Sequence, residues 1–98
     1  MSFSDLVAAD ARLCILKELS KQTDGRLNDL TLLRVLDAYG FRRPQNWVRT
    51  QLRALDALDA INVTDAGTVM IASLTKLGRD HVERRQIVEG ITRPSDED

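Results

Sequence analysis

The chain has 98 residues, of which 43% are hydrophobic and 30% charged, and its formal net charge is −1. This composition is typical of one soluble globular domain and excludes a disordered or fibrous chain. The slightly acidic balance also excludes attraction of the whole surface to nucleic acid, so any such binding must come from a local patch. Residues 1–10 lack a secretory signal, no apolar run approaches the ~18 residues of a membrane span, and Cys14 is a lone cysteine. We therefore expect a cytoplasmic protein.

The first part of the chain predicts two helices. The first covers about residues 4–20, with Ser4 as its N-cap. Its apolar spacing predicts a buried stripe made of Leu6, Ala9, Leu13, Leu16 and Leu19. The dipeptide Asp24-Gly25 ends this helix in a turn. The second helix begins at Asn28 as N-cap and runs to Tyr39, and Gly40 stands where a left-handed residue closes a helix.

A third helix is predicted over about residues 44–58, and it is the element around which the chain is organised. Pro44 suits the first turn, because its missing N–H would be unpaired there in any case. One side of the helix is apolar and comprises Trp47, Val48, Leu52, Leu55 and Leu58. The other side presents Gln45, Asn46, Arg49, Thr50 and Arg53. Residues 42–53 contain four arginines and no acid, so this side should contact something anionic.

After the third helix the apolar spacing changes from helical to alternating. Ile61, Val63, Val69 and Ile71 predict a short antiparallel hairpin with Gly67 in its turn, and Asn62, Thr64 and Met70 should point away from the core. A last helix is then expected from the cap Thr75 to about residue 91, with His81 on its surface. The chain thus divides into one domain over residues 1–91 and an acidic, disordered tail over 92–98.

The predicted order is helix, helix, helix, strand, strand, helix, which is a mainly α fold with a small β-hairpin. This order resembles the winged helix-turn-helix fold. The segment LRALDALDAI at residues 52–61 resembles the end of the recognition helix in such domains, although Asp59 stands where glycine is usual. The segment LTKLGR at residues 74–79 resembles the motif that follows the wing in MarR-like and PadR-like bacterial regulators. The small size is also similar to that of winged-helix proteins encoded by bacteriophages and prophages.

The resemblance and the arginine-rich helix together imply a sequence-specific transcriptional regulator that binds double-stranded DNA. Helix 44–58 would enter the major groove, and a homodimer would supply two half-sites. The candidate DNA-binding residues are Arg42, Arg43, Gln45, Asn46, Arg49, Thr50 and Arg53. The candidate dimer contacts are Leu6, Val82, Val88 and Ile91. We also expect Arg49 and Arg53 to be exposed, so that their joint replacement by alanine leaves folding nearly unchanged.

Two other interpretations of the arginine-rich helix remain open at the level of sequence. The same fold can serve as a protein-interaction or assembly module, for example of phage origin, and the negative net charge favours this. The arginines can also form a solvated surface that only keeps the domain soluble. An enzyme, a cofactor and a metal are not expected, because the single histidine and Cys14 fall on different helices with no organised acid partner. The third helix also lacks the metal-binding cysteine motif of arsenic-repressor-type regulators.

Overall fold

The computed structural model of this protein describes residues 2–95, which form four helices and one small sheet. The described elements are α1 (Phe3–Lys21), β1 (Arg26–Asn28), α2 (Asp29–Ala38), α3 (Gln45–Ala57), β2 (Ile61–Ala66), β3 (Val69–Leu74) and α4 (Lys76–Val82). The three strands are antiparallel and lie in the order β1-β3-β2. The protein therefore has a small α+β fold that contains the predicted elements and one strand, β1, that was not predicted.

Helix α1 begins earlier than predicted and is rotated about its axis relative to the prediction. Ser2, not Ser4, is the N-cap, and it forms a capping box with Asp5. Leu6 is 48% exposed and Leu13 is half-buried, whereas the fully buried residues are Ala11, Ile15, Leu16 and Leu19. The apolar side of α1 is wide, because Val7, Cys14 and Ile15 flank the predicted stripe. Periodicity alone therefore did not determine which part of this apolar side enters the core.

The short strand β1 connects α1 to α2 and holds the start of α2 against the sheet. Its three residues pair with β3 from Arg26 opposite Ser73 to Asn28 opposite Ile71. A strand of this length is too short to show alternation in the sequence. Asn28 also caps α2 through its side-chain oxygen, which accepts from the Thr31 N–H at 2.8 Å. The predicted second helix and its cap are therefore confirmed.

The hairpin forms as predicted, but its second strand faces the opposite way. The turn has two residues, because Ala66 pairs with Val69, and Gly67 has the expected positive φ of 67°. This register places Val63 opposite Ala72, so Met70 and Ala72 face the core and Val69 and Ile71 do not. The prediction that Met70 points outward is wrong, since its side chain is only 2% exposed. A shift of one residue in register exchanges the two sides of a strand.

The last predicted helix ends after two turns, and the chain then folds back onto α1. Thr75 caps α4 as predicted, but the helix stops at Val82, and Arg84 takes a positive φ of 61°. The following segment, residues 83–95, brings Val88 and Ile91 into the core with 7% and 6% exposure. Because Val88 and Ile91 reach the core through irregular backbone, the apolar spacing of this segment resembled that of a helix without forming one.

Three hydrogen bonds attach the end of this segment to α1. Arg12 donates to the Gly90 carbonyl oxygen at 2.9 Å, and the Thr92 N–H donates to the Ala9 carbonyl oxygen at 3.3 Å. The Thr92 hydroxyl bonds to the Asp10 carboxylate. The predicted disordered tail over 92–98 is therefore wrong at Thr92, and its residues 96–98 lie outside the described residues.

His81 fixes the irregular segment from inside the fold. Its side chain has 0% exposure, so the prediction of a surface histidine is wrong. Nδ1 accepts from the Val88 N–H at 3.0 Å, and Nε2 lies 2.9 Å from the Thr92 carbonyl oxygen. Since Nδ1 accepts, Nε2 must carry the proton of the neutral ring and donate to Thr92. His81 thus satisfies two backbone groups that no regular element pairs.

The junction between α3 and β2 is tightly packed, and its geometry explains the residues at positions 59 and 78. Asp59 takes a positive φ of 62°, the conformation for which glycine is usual and which aspartate also tolerates. Ala60 is fully buried, and its carbonyl oxygen accepts from the Thr75 N–H at 3.2 Å. Gly78 lies directly against the same carbonyl group, because α4 crosses the junction there. Only a residue without a side chain fits at this position.

Candidate functional site

Helix α3 is oriented by its apolar side, which determines the residues that face outward. Pro44 is the N-cap and not the first helical residue, and its carbonyl oxygen accepts from the Val48 N–H at 3.2 Å. Val48, Leu52 and Leu55 have 0% exposure and pack into the core. The residues on the opposite side of the helix therefore lie at the surface.

The outward-facing residues form a basic surface that we call the α3 surface. It consists of Arg42, Arg43, Asn46, Thr50 and Arg53, all of them exposed. Asn46, Thr50 and Arg53 follow one another at intervals of four and three residues, so they form a line along the helix. The Arg43 guanidinium carbon lies 5.4 Å from the centre of the Trp47 ring, which holds that arginine beside the start of α3. This surface can bind phosphate groups and hydrogen-bond acceptors.

The other two candidate residues of α3 are turned inward and hold a buried carboxylate. Gln45 Nε2 donates to Asp29 Oδ2 at 2.8 Å, and Arg49 Nε donates to the same oxygen at 2.6 Å. The second oxygen, Oδ1, accepts from the Met70 N–H at 3.0 Å. Asp29 has 0% exposure, so these three donors replace the water that its charge would otherwise require. Gln45 and Arg49 are thus only partly available to a ligand.

Arg49 also connects α3 to the hairpin. Its Nη2 donates to the Thr68 carbonyl oxygen in the turn at 2.7 Å, while Nε holds Asp29 at the start of α2. One guanidinium group therefore joins α2, α3 and the hairpin. The side chain is 34% exposed, which contradicts the expectation that Arg49 lies freely on the surface beside Arg53.

The buried Asp29 is the residue of this site that sequence reasoning missed. An acid in the first turn of a helix is ordinary, because it complements the positive end of the helix dipole. Nothing in the sequence distinguishes such a surface acid from one that is covered by β3 and α3. The only available signal was the pair of polar residues, Gln45 and Arg49, that follow each other by one helical turn.

The ionisation of Asp29 predicts how stability depends on pH. Burial opposes the charge, but the hydrogen bonds from Met70, Gln45 and Arg49 outweigh burial and hold the pKa of Asp29 below its ordinary value of 3.8. Since the pKa is lower in the folded state, ionised Asp29 stabilises the fold above the unfolded-state pKa, and this contribution is lost as the pH falls through the folded-state pKa. We expect urea midpoints of the wild type and Asp29→Asn to differ clearly at pH 7 and to converge below pH 3.8. A difference that stays constant across this range would contradict the assignment.

The candidate dimer contacts are divided between the core and the surface. Val88 and Ile91 are buried within one chain, so they are not available to a partner and the prediction that they are dimer contacts is wrong. Val82 is half-buried against the core. Leu6 is 48% exposed and lies one helical turn from Phe3, which is 79% exposed. The exposed apolar pair at the start of α1 is therefore the remaining candidate surface for a second copy.

No group of three or more histidine, cysteine, aspartate or glutamate side chains in residues 2–95 is placed to hold a metal ion. No helix in the same range combines the length and the apolar character needed to cross a membrane.

The fold and the α3 surface define a small α+β protein with a basic helix surface that has no acid over residues 42–53 and is supported by a buried aspartate. No family model matches the sequence. The sequence is similar to the uncharacterized protein gp26 of Escherichia phage Mu, with 32% identity over 91 residues. The aligned part covers 93% of this chain and 94% of the phage protein. The chain therefore belongs to the family of phage Mu gp26.

Proposed function

We propose that this protein is a winged helix-turn-helix protein that binds double-stranded DNA and acts as a sequence-specific transcriptional regulator. The observation that carries the proposal is the α3 surface, where exposed arginine, asparagine and threonine side chains follow one side of a helix with no acid over residues 42–53. These side chains are suited to phosphate groups and to the base edges of the major groove.

The topology supports the fold part of the proposal. Helices α2 and α3 are joined by a short connection that contains Gly40, and α3 leads directly into the β2–β3 hairpin. The hairpin would be the wing, and the short β1 completes a three-stranded sheet beside the helix pair. The bond between Arg49 and Thr68 would hold the wing at a fixed angle to the recognition helix.

The exposed residues of α3 can be given separate roles in this complex. Arg53 and Asn46 have side chains that can form paired hydrogen bonds with guanine and adenine, respectively, each contact worth ~1–3 kcal/mol of discrimination. Arg42 and Arg43 precede the helix and would contact the phosphate backbone. Gln45 and Arg49 would mainly position the helix, because both already bind Asp29. Since so few contacts make one copy a weak binder, we propose a homodimer through Phe3 and Leu6.

Binding to DNA should depend on the exposed arginines and on salt. We expect fluorescence anisotropy with a labelled mixed-sequence duplex to show binding that weakens steeply as salt is raised, because bound phosphates release counterions. Arg42→Ala with Arg53→Ala should weaken binding at least tenfold and reduce the salt slope by about 1 for each phosphate that is no longer neutralised. Arg49 is left unchanged, since its replacement would also disturb the fold.

A charge-matched variant controls for the loss of two positive charges. Arg79→Ala with Arg93→Ala removes two exposed arginines from α4 and the C-terminal segment, outside the α3 surface. This variant should bind nearly as tightly as the wild type. Equal weakening of DNA binding in both variants would mean that affinity depends only on net charge and not on the α3 surface. Absence of binding to any duplex at low salt would overturn the proposal.

A protein-interaction or assembly module is the second candidate function. Its support is the set of exposed apolar side chains, among them Phe3 at 79% and Tyr39 at 57% exposure, together with the phage relative. In that case the α3 surface would bind an acidic protein surface, and the wild type would show no salt-dependent binding to DNA.

A further inference from the structure

A cleft of about 660 Å³ lies on the side of α1 that does not face the core. One stripe of α1 forms its floor, and it includes Leu13, Cys14 and Lys17, which lie within one helical turn of each other. Residues 39 and 41, between α2 and α3, form one wall, and Val82 with residues 94 and 95 forms the other. The cleft therefore lies between three separate parts of the chain, and its volume falls within the ~300–1,000 Å³ of small-molecule sites.

The chemistry of the cleft is divided between an apolar interior and a cationic rim. Leu13, Phe41 and Val82 are half-buried apolar side chains that leave part of their surface in the cleft. The rim carries the cations Lys17, Lys21 and Arg84, whereas Asp10 is the one acid among the described lining residues. Such a combination attracts a molecule that is apolar at one end and negatively charged at the other.

We propose that this cleft binds small amphipathic organic anions, with an apolar ring or chain against Leu13, Phe41 and Val82 and an acidic group at Lys21. Lys21 is 60% exposed and pairs with Glu18 at 3.3 Å, a weak contact that an incoming carboxylate or sulfonate can share. Tyr39 stands beside Lys21 and adds an aromatic surface at the rim. The proposal does not depend on DNA binding, because none of these residues belongs to the α3 surface.

The lone cysteine provides a reporter inside the cleft. Burial raises the pKa of the Cys14 thiol to about 11, so its thiolate fraction near pH 8 is ~100-fold lower than that of an ordinary thiol. The thiol should therefore react slowly with the neutral reagent 4,4′-dithiodipyridine in the folded protein and quickly in urea. A molecule seated in the cleft covers Cys14 and should slow the reaction further.

The test uses the fluorescent anion 8-anilinonaphthalene-1-sulfonate and its neutral analogue N-phenyl-1-naphthylamine. We expect saturable one-to-one binding of the anion to the wild-type protein, weaker binding of the neutral analogue, and a several-fold slower reaction of Cys14 at saturating anion. Binding without protection of Cys14 would place the probe elsewhere and overturn the proposal. Absence of binding would overturn it as well.

Two lysine variants give a matched comparison of the charge contribution. Lys21 and Lys76 are both exposed helix lysines that pair with a carboxylate of the same helix, at 3.3 Å and 2.8 Å. Lys21→Gln should weaken binding of the anion about two- to fivefold and leave the neutral analogue unaffected, whereas Lys76→Gln should change neither. Equal effects of the two variants would contradict an acidic group placed at Lys21.

Discussion

Replacing Arg49 by alanine should lower the free energy of unfolding by about 3 kcal/mol, although sequence patterning places this residue on the exposed side of α3. The change leaves the Asp29 carboxylate buried with only Gln45 and the Met70 N–H as donors. It also frees the hairpin turn, because the bond to the Thr68 carbonyl oxygen is removed. This value is at the lower end of the ~3–5 kcal/mol that breaking a buried ion pair costs, because the Arg49 side chain is 34% exposed and water can partly replace it.

Urea unfolding measures this effect, and Arg53→Ala is its control. With a denaturant slope of roughly 1–3 kcal/mol per M, the Arg49→Ala midpoint should fall by about 1–3 M. Arg53 is exposed on the same helix, so its replacement should change the midpoint little. The double variant Asp29→Ala with Arg49→Ala should be less destabilised than the sum of the single variants. Equal midpoints for Arg49→Ala and Arg53→Ala would show that the ion pair does not stabilise the fold.

Gly78→Ala should be the most damaging glycine-to-alanine change, because an added methyl group meets the closest neighbours there. A Cβ at this position would overlap the Ala60 carbonyl oxygen and lie 2.8 Å from Leu74 Cδ1. The carbonyl group is fixed, because Ala60 is fully buried and its carbonyl oxygen accepts from the Thr75 N–H. Alanine favours a helix over glycine by about 1 kcal/mol, but the overlap should outweigh this gain and leave a net loss of about 2–3 kcal/mol.

Thermal unfolding tests the Gly78 prediction against a neighbour on the same helix. Arg79→Ala changes an exposed residue of α4, so it should shift the melting temperature by little. Gly78→Ala should lower it by roughly 8–24 °C, using 4–8 °C per kcal/mol for a domain of about this size. A melting temperature at or above that of the wild type would mean that α4 does not press against the α3–β2 junction.

Sequence patterning located the first three helices, the start of the last helix and the hairpin because their signals are local. Asn28 and Thr75 cap helices, and Gly67 makes a tight turn, for reasons that depend on a few neighbouring residues. The orientation of each element was harder to predict, because it depends on distant partners. Met70 was placed on the wrong side of its strand, since the turn length sets the register and the alternation of residues 69–72 does not.

The candidate site shows the same division between local and distant information. Asn46, Thr50 and Arg53 were predicted on the outer side of α3 and lie there, because the apolar side of the helix is strong. Arg49 was misjudged, since its partner Asp29 is 20 residues away in sequence and belongs to another helix. His81 was misjudged for the same reason, as its role depends on how residues 83–95 fold back. Charge and polarity alone do not reveal a partner of this kind.

The bonds between α1 and residues 90–92 have a consequence for how the chain is made. Arg12 and Gly90 are separated by 78 positions, and Asp10 and Thr92 by 82. During synthesis, α1 leaves the ribosome long before residues 90–92 do. Until then α1 lies beside an incomplete core. Contacts of such long range close late, because the loop entropy must be overcome first. The emerging protein should therefore gain its full stability only once Thr92 has left the exit tunnel.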